Sequence, residues 1–188
     1  MGPLLFTETR IAGVWILESE RRGDERGFFA RTWCQQEFAK HGLNPRIEQC
    51  GTSFNPRAGT LRGLHYQAAP HQEAKLVRCT RGAIYDVVVD LRDDSPTRQH
   101  WLAEELSADN HRMFYVPEGC AHGFLTLAPN SEVFYQMSMA HNPESSRGVR
   151  WDDPALAIRW PAAVQVISER DRQLPCCPSR AAREPSPC

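Results

Sequence analysis

The sequence has no apolar run approaching the ~20 residues that a membrane-spanning helix needs, so no membrane association is expected. Nor has it an excess of charge of one sign. Its 22 Lys and Arg stand against 23 Asp and Glu, a net charge of −1, which leaves no global basic field to hold nucleic acid. Any anion must instead be gripped by a local cluster of Arg and Lys. The N-terminus, Met1-Gly2-Pro3-Leu4-Leu5, lacks the basic stretch and apolar core of a secretory signal, and a cytoplasmic location is expected. Metal-type cysteine spacing is missing as well: Cys34, Cys50, Cys79 and Cys120 are scattered, and Cys176 and Cys177 are adjacent near the end. In that compartment a disulfide framework is not expected. Cys79, inside an apolar strand pattern, reads as a small core residue.

What remains is a mostly β chain. Its 188 residues suffice for one domain with a core. After a lead-in holding the short strand pattern Val14-Trp15-Ile16-Leu17, strand patterns recur at Lys75–Thr80, Gly82–Asp90, Trp101–Leu106, Met113–Val116, His122–Leu127 and Glu132–Met139. Between them fall turn clusters such as Asp93-Asp94-Ser95-Pro96. Gln35–Lys40 is the one plausible helix of this zone, so βαβ units are not expected. Many short strands at roughly ten-residue spacing imply an all-β sandwich or barrel, and a jelly roll closes such strands around a cavity. The stretch 173–188, with Pro175, Pro178, Pro185 and Pro187, reads as a disordered tail after a single domain of residues 1–172.

Two segments are dense in chemistry. In Gly59-Thr60-Leu61-Arg62-Gly63-Leu64-His65-Tyr66-Gln67, strand alternation puts Leu61, Gly63 and His65 on one face and Arg62, Leu64 and Tyr66 on the other. Arg62 and His65 then share a pocket only through twist or a bulge near Gly63. A second reading stays open here, a core histidine satisfied by a backbone partner. In Pro117-Glu118-Gly119-Cys120-Ala121-His122, the spacing resembles the second metal motif of cupin barrels. The first cupin motif needs two His one residue apart, and this chain offers His65 and Gln67; the second usually ends in Asn, and Thr126 stands there. A metal held by His65, Glu73 and His122, in a cupin dioxygenase or isomerase, is the alternative reading. Lys75, Asp86, Tyr135 and Asp171 form a third set, each with an ordinary structural explanation when taken alone.

Taken in order, these pieces resemble the dTDP-4-dehydrorhamnose 3,5-epimerase family. The matching motifs are Asp24-Glu25-Arg26-Gly27-Phe28-Phe29, Leu61–Gln67, Lys75–Cys79, Tyr85–Arg92, Val116–Phe124, Glu132–Tyr135, Arg150–Pro154 and Ser168–Asp171. Several motifs in the right order are far more specific than any one. The resemblance implies a cupin-type double-stranded β-helix, or jelly roll, with a few short helices. It implies a homodimer that needs no cofactor and no metal and acts on a nucleoside-diphosphate 4-keto-6-deoxyhexose. His65 is implied as the base, Asp171 as the carboxylate that orients it, Lys75 as the cation at the enolate oxygen, and Tyr135 as the acid on the opposite face. Arg26 and Arg62 are implied as diphosphate ligands, and Phe28, Gln49 and His122 as further lining of the substrate site. The chemistry agrees: a proton beside a ketone is weakly acidic, so the developing enolate needs a preorganised positive charge at its oxygen. Inversion also needs the proton returned to the other face. Arg suits a diphosphate through its planar fork.

The departures lie at the nucleoside end. Ala30 and Arg31 stand where many members have an aromatic and Glu, Gly51 where many have Asn, and Ala140-His141 where an aromatic commonly stacks on the base. The expectation is retained chemistry with a different hold on the nucleotide, or a nucleotide other than dTDP. Inversion at C3, at C5 or at both is compatible with the pattern.

Overall fold

The computed structural model describes residues 2–177. In chain order the strands begin with β1 (Leu4–Glu8), β2 (Trp15–Ser19), β3 (Arg22–Asp24) and β4 (Gly27–Phe29). Helix α1 (Gln35–Lys40) precedes β5 (Gln49–Asn55), β6 (Leu61–Gln67), β7 (Lys75–Arg81) and β8 (Ala83–Asp90). Then come β9 (Trp101–Ser107), β10 (Met113–Val116), β11 (Cys120–Thr126), β12 (Ser131–Met137), β13 (Ser146–Gly148) and the single-turn α2 (Glu169–Arg172). A six-stranded sheet runs β1-β2-β10-β7-β12-β5 and a five-stranded sheet β13-β6-β11-β8-β9, while β3 and β4 form a separate hairpin. All named strand pairs are antiparallel. The protein is the expected all-β, cupin-like jelly roll with short helices. No helix among the described residues is long and apolar enough to cross a membrane.

Alternation explains the layers. Val77, Cys79, Phe114 and Val133 of one sheet meet Ile84, Val88, Leu106 and Phe124 of the other in a shared core, as period-two side-chain placement requires. The outer face of the six-stranded sheet is partly covered by α1, whose Phe38 is buried with Leu17, Leu76 and Tyr115. The outer face of the five-stranded sheet carries Val87, Val89 and Ala121, covered by Val149, Leu156 and Cys177. Both faces of β8 are therefore covered, which is why Ala83–Asp90 reads as a continuous apolar run rather than an alternating one.

The last described residues correct the expected tail. Within 173–188, residues 173–177 are anchored to the domain: Cys177 is 5% exposed, its amide donates to Asp153 Oδ2 at 2.6 Å, and the Arg150 amide donates to Pro175 O at 2.8 Å. Proline content hid this, because the segment is held by side-chain and single backbone bonds instead of a strand ladder. The rest of the expected tail, from residue 178, lies outside the described residues. Cys34, Cys50, Cys79, Cys120 and Cys177 are free thiols, and Cys176 is disulfide-bonded.

Candidate active site

The bulge near Gly63 is the local feature that builds the site. His122 of β11 pairs with His65 of β6, but Phe124 pairs with Arg62, so β6 carries one extra residue between them. That residue brings Arg62 and His65 onto the same wall. Gly63 sits at φ +127°, and a Cβ there would lie 2.5 Å from Gly123 Cα, so the crowded backbone accepts glycine alone. The bulged Gly63 amide also donates to Asp171 Oδ2 at 3.1 Å.

A cavity of about 420 Å³ opens between the sheets, walled among others by Arg62, His65, Lys75, His122, Tyr135 and Asp171. His65 and His122 come from the five-stranded sheet, Lys75 and Tyr135 from the six-stranded one. Tyr135 pairs with Val77 and Met137 with Lys75 in the β12–β7 register, so Tyr135 and Lys75 share the inner face as diagonal neighbours. His65 Nε2 lies 2.7 Å from Asp171 Oδ1. With Asp171 ionised, Nε2 carries the ring proton and Nδ1 keeps the lone pair. Burial alone would raise the Asp171 pKa. The hydrogen bond and charge of His65, the Gly63 amide and the Arg170 charge outweigh it and hold the carboxyl below its ordinary 3.8. Ser168 caps α2 by accepting the Asp171 amide at 3.1 Å, which fixes where that carboxylate stands.

The remaining groups are equally tied down. Lys75 Nζ is 2.9 Å from Glu73 Oε1. His122 Nε2 is 2.6 Å from Asp86 Oδ1. Tyr135 Oη is 3.3 Å from Ser53 Oγ, and burial pushes its phenol well above the ordinary 10.0, so it stays protonated at neutral pH. Arg62 Nε donates to Asn55 Oδ1 at 2.7 Å. Glu73, the carboxylate of the metal alternative, is paired with Lys75, and His65 and His122 each bond a carboxylate through Nε2. Among the described residues no group of three or more His, Cys, Asp or Glu is arranged to hold a metal.

Three residues expected at the site stand elsewhere in this chain. Arg26 lies on the β3–β4 hairpin with its side chain 84% exposed and paired with Asp24. Phe28, on the same hairpin, is 51% exposed and packs edge-on against His111, beside a different cavity. Gln49 does not wall the cavity; its Oε1 accepts the amide of His141, which does. Gln67, His141 and Arg170 also wall the cavity, as does Ser53, which the sequence does not mark. Ser53 sits in Gln49–Asn55, whose polar Gln-Cys-Gly-Thr-Ser carries no strand signal.

Fold and cavity define the class, a jelly-roll barrel enzyme equipped for proton transfer. The sequence model of the dTDP-4-dehydrorhamnose 3,5-epimerases matches residues 8–178. A dTDP-4-dehydrorhamnose 3,5-epimerase of Methanothermobacter thermautotrophicus is 43% identical over 92% of this chain and 94% of its own. One of Sinorhizobium fredii is 40% identical over 93% and 90%. The crystal structure of the Bacillus anthracis enzyme with TDP and PPi bound superposes with a TM-score of 0.89 at 41% identity, covering 93% of this chain and 99% of that one. A 3′-monoepimerase from Streptomyces bikiniensis, in complex with dTDP-quinovose, gives 0.84 at 30% identity, covering 90% and 86%. The chain belongs to the dTDP-4-dehydrorhamnose 3,5-epimerase family and is a sugar-nucleotide epimerase.

Proposed function

We propose that this single domain inverts carbons beside the ketone of a nucleoside-diphosphate 4-keto-6-deoxyhexose in the cytoplasm, with no cofactor. The observation that carries the reading is the placement of His65 and Tyr135 on opposing sheets around one cavity, with Lys75 beside Tyr135. His65 Nδ1 takes the proton from the carbon next to the carbonyl. The C–H electron pair moves into the new C=C bond, and the carbonyl oxygen gains the negative charge. The Lys75 ammonium stabilises that oxygen, an electrostatic contribution of the kind that dominates enolate chemistry. Tyr135 then gives its hydroxyl proton to the opposite face of the carbon. Solvent reprotonates the phenolate and takes the proton from His65. Asp171 is the orienting carboxylate: it fixes the imidazole tautomer and stabilises the imidazolium.

Arg62 is our candidate diphosphate ligand within the chain, and His122 lines the same site. Arg26 and Phe28 project on an exposed hairpin, which supports their delivery to a neighbouring cavity in a homodimer rather than to their own. The bound TDP of the Bacillus anthracis relative supports a thymidine nucleotide. Calorimetric titration with dTDP, GDP, CDP and UDP tests this, and a clear preference for another base overturns it. The 3′-monoepimerase relative leaves one inversion or two as the second variable. Solvent deuterium wash-in at C3 and C5, followed by NMR on 4-keto-6-deoxyhexose nucleotides, reads both positions. Label at neither position overturns the epimerase assignment to this cavity.

A further inference from the structure

Residues 138–145 leave β12 of one sheet and enter β13 of the other, crossing the barrel without regular structure. His141 in this crossing walls the cavity. Three consecutive backbone amides of the crossing are taken up by side-chain oxygens. Ala140 N donates to Glu48 Oε2 at 2.7 Å, His141 N to Gln49 Oε1 at 2.8 Å, and Asn142 N to Gln67 Oε1 at 2.6 Å. Glu48 just precedes β5 of the six-stranded sheet and Gln49 begins it, while Gln67 ends β6 of the five-stranded one. The crossing is thus clipped to both sheets at the same three residues. Gln67 is 3% exposed. Its Nε2 also donates to His71 O at 2.8 Å and to Ala140 O at 3.3 Å, so both ends of its amide are engaged.

We propose that Gln67, assisted by Gln49 and Glu48, is a positioning residue that sets the His141 wall and through it the binding of the sugar nucleotide. The proposal rests on the functional reading above. A segment without a strand ladder keeps its place through such individual bonds. His141 is no part of the proton relay, so a displaced wall weakens binding in ground and transition states alike. Such a loss appears in KM rather than kcat. Gln67 acts through His141, so the two must couple.

The test combines steady-state kinetics and amide hydrogen exchange on full-length Gln67→Ala, Gln49→Ala, His141→Ala and the Gln67→Ala/His141→Ala double variant. Gln67→Ala is expected to raise KM about tenfold with kcat within about twofold. In the His141→Ala background the same change is expected to add less than about twofold. Exchange at Ala140, His141 and Asn142 is expected to quicken at least about tenfold, without substrate present. A fall in kcat at constant KM, full multiplication of the two effects, or unchanged exchange overturns the proposal. Should Gln67→Ala fail to fold, exposed Gln49→Ala carries the test, with faster exchange at His141 and a KM about threefold higher. Wild-type protein that turns over no 4-keto-6-deoxyhexose nucleotide defeats the functional reading alone, because the exchange measurement still decides the clip.

Discussion

Two imidazoles on the same sheet are paired with carboxylates at nearly the same spacing, 2.7 Å for His65 with Asp171 of α2 and 2.6 Å for His122 with Asp86 of β8. Their environments push the carboxyls in opposite directions. Burial would raise Asp171, but it is lowered by the hydrogen bond and charge of His65, with further help from the Gly63 amide on its second oxygen and from Arg170 nearby. Asp86 is wholly buried, its Oδ2 has no hydrogen-bond partner, and burial raises it against the pull of His122 and Lys75. His65 is 36% exposed toward the cavity, whereas His122 is 5% exposed. The contrast fits the proposed division of labour, in which His65 exchanges a proton each turnover and His122 lines the cavity. Contact distance alone does not distinguish them; solvation and the second carboxylate oxygen do.

The comparison can be broken at each partner. The largest effect is expected from His65→Ala, a fall in kcat of about 10³-fold or more, since both the proton acceptor and its orientation are lost. Asp171→Asn keeps the ring but disturbs its tautomer, and kcat should fall about 10²–10³-fold. Asp86→Asn should cost only about tenfold or less, because its imidazole takes no proton from substrate. Equal losses in the two Asn variants would erase the distinction.

Stability should separate the same pair. Asp171 has a depressed carboxyl, so its contribution is present above about pH 4 and is lost as pH falls through its lowered value. Asp86 has a raised carboxyl, so its contribution is fully present below about pH 4 and is lost as pH rises through its raised value. At neutral pH, Asp171→Asn should lower the melting temperature, through about 1–3 kcal/mol of charge-assisted hydrogen bonding. Asp86→Asn should leave it unchanged or raise it. Calorimetric scans at pH 7 decide the sign. The smallest effect is expected from Arg26→Ala on the exposed hairpin, a KM about three- to tenfold higher with melting temperature unchanged. If the proposed homodimer delivers this hairpin, a dilution series should show the wild-type KM rising as sedimentation shows the dimer separating.

The sequence carried more of the chemistry than of the frame. His65, Lys75, Tyr135 and Asp171 were legible because each lies in an ordered motif, and the structure gathers all four around one cavity. Strands with dense β-branched content, such as Ala83–Asp90, were legible for the same local reason. Gln49–Asn55 was not, since its polar residues are strand-like only through pairing with β12. The bulge was foreseeable at Gly63 as a need but not as a fact, because it depends on contact with Gly123 60 residues away in sequence. Gln49 reads from its position as a wall residue, yet its side chain holds the residue that forms the wall. A one-dimensional motif does not tell a ligand from a support one step behind it. Arg26 and Phe28 fail as wall residues of their own chain for a different reason: their hairpin pairs with neither main sheet.

Separating proton removal from inversion tests the division of labour most directly. Tyr135→Phe and His65→Ala are each incubated in deuterated solvent with the 4-keto-6-deoxyhexose nucleotide, and label and configuration are read together by NMR. The account predicts that Tyr135→Phe still washes deuterium into the carbon beside the ketone while inverting it at least about 10²-fold more slowly, and that His65→Ala does neither. Inversion by Tyr135→Phe at the wild-type rate, or wild-type exchange by His65→Ala, contradicts it.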